Sequence, residues 1–458
     1  MKHLRMRAST ILYGALLAAC GNNGFQSPTS AVPLAGKPPV AAQKVMPVKP
    51  AAASSKKVLY RFKGGMDGSG PGGLTDVNGT LFGTTGAGGG SYCISASEQY
   101  GCGTIYSIDT SGAGYIVLHR YPDSGTEGAG PQMLTYANGQ LYGTTGYGGN
   151  LSCDRFGDGC GTVFAMDPSG VSYDVLYSFA SLQDGQYPVG ALLDRNGALY
   201  GATVEGGSGK CYLTSGLIGC GTLYEVNVSS GKKRILYSFQ GDNDGYRPLS
   251  GLLDVSGPLY GTTAVGGEGE CGGDSGLVGC GTIFKIRPSG DGYRVIYRFK
   301  GPNGSGRPNN VLDVSGTFYG TTANGGITSG RCLRIRGPLG CGTLFKFNVS
   351  SGRLTVLHRF RGGRDGATPN SLLAYMNGAL YSTTLAGGDM NCHFDYHSGC
   401  GTVFKFDLAS GRETTLYRFK GGRDGAEPSS VINVNGVLYG TTAADGRKDN
   451  GTVFSLSP

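Results

Sequence analysis

One pattern recurs seven times at intervals of about 60 residues, and it leaves few folds open. Each unit runs through an apolar strand ending in an aromatic, a loop carrying an acidic residue and Pro, a tight turn, a stretch like Leu-Tyr-Gly-Thr-Thr, and a Gly-Thr step into another strand. The turns are Asn78-Gly79, Asn138-Gly139, Asn196-Gly197, Ser256-Gly257, Ser315-Gly316, Asn377-Gly378 and Asn435-Gly436. Asn-Gly tolerates positive φ at both central positions and closes two-residue hairpins; Ser-Gly is a weaker substitute. Each unit therefore holds four short strands, as at 251–255, 259–263, 282–286 and 294–299.

The ends of the chain are out of phase with the repeat. Val58 to Phe62 reads as a fourth strand with no unit before it, and the last unit stops after its third strand, at Phe454 to Leu456. The N-terminal strand is expected to complete the last blade of an all-β, seven-bladed β-propeller with four-stranded antiparallel blades, spanning 58–458. Closure of the ring removes the open sheet edges that invite aggregation.

Aromatics recur at fixed places: on the second strand (Phe82, Tyr142, Tyr200, Tyr260, Tyr319, Tyr381, Tyr439), the third (Tyr106, Phe164, Tyr224, Phe284, Phe345, Phe404, Phe454) and the fourth (Phe62, Tyr121, Phe179, Phe239, Phe299, Phe360, Phe419). Strict repetition favours packing between blades over a sugar or cofactor platform, since large rings fill the space between stacked sheets.

The first 57 residues differ in kind. Lys2, Arg5 and Arg7 precede an apolar stretch, Ile11 to Ala19, too short to span a bilayer, which ends in Leu17-Ala18-Ala19-Cys20. This resembles a bacterial lipoprotein signal with its lipobox. The resemblance implies a signal peptide over 1–19, lipid on Cys20, and export to the cell envelope, with Gly21 fitting outer-membrane sorting in a host with two membranes. Residues 20–57, rich in Pro, Ala, Ser and Lys with no acidic residue, read as a flexible tether. The net charge of +8 matches the eight basic residues of 1–57, leaving the propeller near neutral. A nucleic-acid-binding face would concentrate Lys and Arg on the folded part, so no nucleic-acid partner is expected.

Of thirteen cysteines, Cys20 belongs to the signal, and twelve fall two per unit: Cys93 with Cys102, Cys153 with Cys160, Cys211 with Cys220, Cys271 with Cys280, Cys332 with Cys341, and Cys392 with Cys400. An oxidising compartment makes six local disulfides the simplest reading, each adding about 2–3 kcal/mol through loop entropy. Zinc is the rival, but two thiols per loop on separate blades supply no four-ligand set. The seventh unit has Asp445 to Asn450 in place of the cysteines. Alternating strand direction puts all these loops on one face of the disc, where binding residues of a regular scaffold collect. Candidates there are Tyr92, Tyr100, Arg155, Phe156, Tyr212, Arg334, Arg336, Tyr396 and His397. Their variation from blade to blade argues for one asymmetric site rather than seven equal ones.

The same face carries acidic residues four before Pro: Asp67, Glu127, Asp184, Asp244, Asp365 and Asp424. A partial ring of carboxylates near the channel could hold Ca²⁺ or a cation, which makes Asp67, Asp184, Asp244, Asp365 and Asp424 metal candidates. Asp-Gly-x-x-Pro is also ordinary turn chemistry, and that reading is preferred. His393-x-Asp395-x-His397 is likewise read as solvated surface rather than a metal clip.

The repeat, seen in Gly401 to Lys405, Leu259 to Thr263, Gly266-Gly267 and Asp424 to Pro428, resembles the tandem repeat of bacterial GloVer-containing, choice-of-anchor surface proteins. The resemblance covers Val58 to Pro458 and implies an exported, anchored repeat protein, with no activity or catalytic residue to carry over. A binding module fits best: its partners would be a membrane, through the lipid, and an extracellular or periplasmic protein or glycan, with no cofactor. The alternative is a glycan-cleaving or lactone-hydrolysing enzyme on the same face, for which the sequence offers scattered residues such as Glu98, Asp158, Glu268 and His397. A quinone-dependent dehydrogenase is disfavoured because the chain has no Trp.

Overall fold

The computed structural model describes residues 54–90, 92–93, 101–153, 157–213, 216–269, 271, 278–301, 305–336, 339–394, 397–444 and 450–458. The leader, Cys20 and nearly all of the tether lie outside them. Seven antiparallel blades radiate around one axis, the first six in chain order from the innermost strand outward; blade 1 comprises Ser69–Val77, Thr80–Ala87, Thr104–Asp109 and Ile116–Arg120. The innermost strand is broken in blades 2, 4 and 6, as at Ala129–Pro131 and Thr135–Ala137. The expected seven-bladed propeller is the fold.

The ring closes as the phase of the repeat requires. Ser55–Arg61 is the outer strand of blade 7, pairing antiparallel with Thr452–Ser457, with Val58 opposite Phe454. The strand starts at Ser55 rather than Val58, so the tether as read from the sequence ends three residues too late. The cause is Lys56, whose Nζ crosses to Asp424 Oδ1 of blade 6 at 2.8 Å with its side chain only 2% exposed.

The repeated motifs are joints. In every blade the second Thr of the Thr-Thr or Ala-Thr pair hydrogen-bonds the Thr of the Gly-Thr step, from Thr85 with Thr104 at 2.8 Å to Thr442 with Thr452 at 2.8 Å. The outer-strand aromatic of each blade meets the third-strand aromatic of the next edge to face: Phe62 with Tyr106 at 5.1 Å, Phe239 with Phe284 at 5.5 Å, Phe419 with Phe454 at 5.2 Å. All seven seams carry this pair, each adding about 0.5–1.5 kcal/mol beyond area burial. The aromatics assigned to interblade packing are thus core, with Tyr319 only half-buried. The hairpin turns have positive φ at both residues, Asn78 53° and Gly79 87° among them.

Candidate functional site

Each blade is latched to the one before through the Pro of its loop. A Cβ on Gly103 would stand 2.6 Å from Pro131 Cδ, and the same glycine-proline seat recurs from Gly161 with Pro188 to Gly451 with Pro71 across the closing seam. The residue before that Pro donates its N–H to the second cysteine of the preceding blade: Arg247 to Cys220 O at 3.0 Å, Arg307 to Cys280 O at 2.8 Å, Thr368 to Cys341 O at 2.8 Å, Glu427 to Cys400 O at 3.1 Å. In the seam without cysteines, Asn450 O accepts from Gly70 N at 3.2 Å.

The latch forces the donor residue into the left-handed region. Gly70 and Gly130 take it without cost in blades 1 and 2, at φ 62° and 61°. The other five blades place Tyr187, Arg247, Arg307, Thr368 and Glu427 there, at φ 54–56°. A non-glycine residue in this region costs about 1–2 kcal/mol, and a β-branched one such as Thr368 is a marked outlier. Glycine performs the latch equally well, so the latch does not explain these five side chains.

These residues stand at the head of the innermost strands and ring the channel mouth on the stapled face. Tyr187 packs edge-on against Tyr147 of blade 2 at 5.2 Å. Arg247 reaches Glu205 of blade 3, Nη2 to Oε1 3.4 Å, both nearly buried. Burial raises the Glu205 carboxyl against the opposing pull of Arg247. Glu427 is also buried, at 8% exposure, and Tyr187 and Arg307 are half-buried. Among the inner strands Met133, Ala191 and Leu372 of blades 2, 3 and 6 pack together. The cavity left among Ala191, Leu252, Val311 and Leu373 holds about 40 Å³, room for about one water. This ring was missed in the sequence, where Asp-Gly-x-x-Pro was read as a turn; the signal was the position ahead of Pro, which changes from blade to blade inside an otherwise fixed motif.

The six disulfides pair locally as expected, with Cα separations of 5.0 to 6.0 Å. Stapled loops and proline loops share one face. The Gly-Gly after the second strand donates to the proline loop, as from Gly89 N to Gly65 O at 2.8 Å and Gly388 N to Gly363 O. Of the predicted face, Tyr92 and Tyr212 are exposed, at 47% and 58%. Arg334 and Arg336 fall on the short helix Arg331–Arg336, and His397 on the strand His397–Ser398. The side chains of these three lie outside the described residues, as do Glu98, Tyr100, Arg155, Phe156, Tyr396 and the clip at Asp395. An open groove of roughly 540 Å³ runs over the face between Met66, Gly90, Arg120 and Asp123. Asp158 and Glu268 stand on loops of different blades, and Glu268 faces Lys300 at 3.6 Å.

The acidic residues before Pro are not gathered at the channel. The aspartates close their own loops back onto the outer strand: Asp67 accepts from Lys63 N at 2.7 Å and Tyr60 OH at 2.7 Å, Asp244 from Gln240 N and Tyr237 OH, and Asp424 from Lys420 N and Tyr417 OH. The turn reading accounts for them. A residue from the outer strand of the next blade completes each of these peripheral sockets. Tyr115 and Tyr293 donate to the Asp67 and Asp244 carbonyls, while Lys233 and Lys56 pair with Asp184 and Asp424. In blade 5, which lacks the acid, Leu354 stands there and packs with the Tyr297 cluster. The blade 5–6 socket breaks the pattern, with His358 and Asp365 facing Glu413, and their ligand atoms lie within 4.8 Å of one another. Burial and the Asp365 carboxylate push Glu413 up to about 7, whereas the contact with His358 holds Asp365 below its ordinary value despite its burial.

The repeat that builds these joints matches the model of the Gloeobacter/Verrucomicrobia repeat over residues 44–214, 158–396 and 273–458. The chain belongs to this repeat family. No curated protein matches it. Among solved structures, this Gloeobacter/Verrucomicrobia repeat protein is similar to an oligogalacturonate lyase in complex with manganese (10% identity, 88% of this chain and 90% of that one, TM-score 0.48). It is also similar to the Vibrio parahaemolyticus oligogalacturonate lyase (8%, 88% and 90%, TM-score 0.47) and to a puromycin hydrolase (13%, 83% and 52%, TM-score 0.49).

Proposed function

We propose that the protein is an exported, lipid-anchored binding module of the bacterial cell envelope. In this reading the stapled face and the channel mouth at its centre take an extracellular or periplasmic protein or glycan. One observation carries the reading: five blades hold different side chains, Tyr187, Arg247, Arg307, Thr368 and Glu427, in a backbone conformation that glycine fills at no cost in the other two. Side chains that differ from blade to blade, kept in a strained conformation the latch itself does not need, point to a role beyond the latch. The groove beside Met66 and the exposed Tyr92 and Tyr212 extend the surface outward.

Anchoring agrees with this orientation. The outer strand of blade 7 starts at Ser55, opposite Ser457 at the end of the third strand, on the side of the plain hairpins. A tether from a lipidated Cys20 would join the disc there, at its perimeter, leaving the stapled face turned away from the membrane. The enzyme reading has one specific point in its favour, the buried Glu205 carboxyl beside Arg247.

The test is capture of envelope glycans and proteins on the purified chain and on Arg307→Gly and Glu427→Gly. Both substitutions keep the latch N–H, and both should lose capture while the far-ultraviolet sheet signal persists. Retained capture in both variants would overturn the reading, and turnover of a glycan or lactone abolished by Glu205→Gln would replace it with the enzyme.

A further inference from the structure

The blade 5–6 socket is the one place among the described sockets where two carboxylates meet across a seam. In the sockets of Asp184 and Asp424 the facing residue is a lysine, and its charge lies between the blades at 2.7 and 2.8 Å from the carboxylate. Glu413 holds the corresponding place on the outer strand of blade 6, six residues before Phe419, as Lys233 precedes Phe239 and Lys56 precedes Phe62. The sign of the charge is reversed while the acid opposite is kept. His358 also replaces the tyrosine found at Tyr60, Tyr177, Tyr237 and Tyr417. Two of the three members of a lysine-type socket thus become metal-ligand types together, and all three are partly buried.

We propose that His358, Asp365 and Glu413 bind a divalent first-row transition ion that joins blades 5 and 6, in the place lysine fills in the sockets of Asp184 and Asp424. The donor set is one imidazole nitrogen and two carboxylate oxygens, which suits Zn²⁺, with a fourth position left to water. His358 Nε2 and Asp365 Oδ2 lie 3.3 Å apart. That is the separation of two ligands held tetrahedrally on bonds of about 2.0–2.1 Å. Asp365 Oδ2 also accepts from Arg361 N at 2.7 Å, and Thr415 Oγ1 donates to Glu413 Oε1 at 3.3 Å, so both carboxylates are oriented from outside the set.

The experiment is a thermal melt of the EDTA-treated full chain against ZnCl₂ and MnCl₂. Beside it run Glu413→Lys and the double variant Glu413→Lys with His358→Tyr, which rebuilds the socket of Asp184 and Asp424. The wild type should gain on the order of 3 °C at a hundredfold excess of zinc over Kd. Both variants should fold, melt at or above the metal-free wild type, and show no zinc-dependent shift. A wild type indifferent to both metals, or a shift that survives in Glu413→Lys, overturns the proposal. Isothermal titration counting one zinc lost per chain in Glu413→Gln gives a second readout that does not depend on the lysine swap.

Discussion

The N–H of Thr368 donates to the carbonyl of Cys341 at 2.8 Å, across the seam between two blades and from a left-handed backbone at φ 55°. Thr368 is β-branched and buried at 2% exposure, and its hydroxyl has no hydrogen-bond partner among the described residues. Thr368→Gly keeps the latch and removes both liabilities. It should raise stability by about 1 kcal/mol in chemical denaturation; a loss of that size would mean the side chain holds the mouth together.

Tyr106 and Tyr224 occupy the third-strand position that Phe fills in the other blades, and their hydroxyls are buried without a partner among the described residues. Tyr106→Phe and Tyr224→Phe should each leave the fold unchanged and raise the unfolding free energy in chemical denaturation by about 1 kcal/mol per hydroxyl. The two sites are on blades 1 and 3, so the double variant should show the sum.

Lys233 Nζ lies 2.7 Å from Asp184 Oδ1 and 4.9 Å from the Phe179 ring, with its side chain 2% exposed. Lys233→Met leaves Asp184 between the blades without its cation, at a cost of about 3 kcal/mol. Lys233→Met with Asp184→Asn should recover most of that loss, which a thermal melt of the four proteins would show.

His119 gives the molecule an acid limit. Its ring stacks on Tyr173 at 4.0 Å, and burial lowers its pKa to about 4. Glu127 Oε2 is 3.2 Å from Nε2, but no hydrogen bond joins them, so burial outweighs the carboxylate and the neutral ring is the folded form. The folded value lies below the ordinary value of about 6.5. The stability held by the neutral ring is therefore complete above pH 6.5 and lost as pH falls from there through 4. His119→Tyr, matching Tyr177 and Tyr237, should flatten melting temperature over that window; an equal slope in both proteins would place the acid sensitivity elsewhere.

Each stapled loop hands its second cysteine carbonyl to the next blade, so the disulfides steady the latch as well as the face. Reduction should lower the melting temperature by several degrees while the far-ultraviolet sheet signal persists, because the edge-to-face aromatic pairs remain. Collapse of the sheet signal would show that the staples hold the ring itself.

Architecture was legible because each blade repeats its turn, its threonines and its aromatics, and repetition averages out local ambiguity. Closure was legible from phase alone, through Val58 to Phe62 and Phe454. Lys56 was counted with the tether because a lone lysine beside a Lys-rich segment gives no sign that it crosses to Asp424, 368 residues away. The strained ring escaped for a similar reason: positive φ at Tyr187 or Glu427 follows from a hydrogen bond to another blade, and local sequence rules place such backbone at glycine and asparagine. The socket of Glu413 became visible only when the outer strands were set beside one another in space.

The closing seam also decides how the disc bears load. A pull through the N-terminal segment meets the ring first at Ser54, whose hydroxyl donates to Leu416 O of blade 6 at 2.6 Å, and then at Ser55, the rung opposite Ser457. The brake is Lys56, clamped to Asp424 on the neighbouring blade one residue inside the first rung. Tension on the closing strand is therefore carried into blade 6 and its loop at three points along its length, through Ser54, Lys56 and Arg61, whose Nε donates to Arg423 O at 2.9 Å.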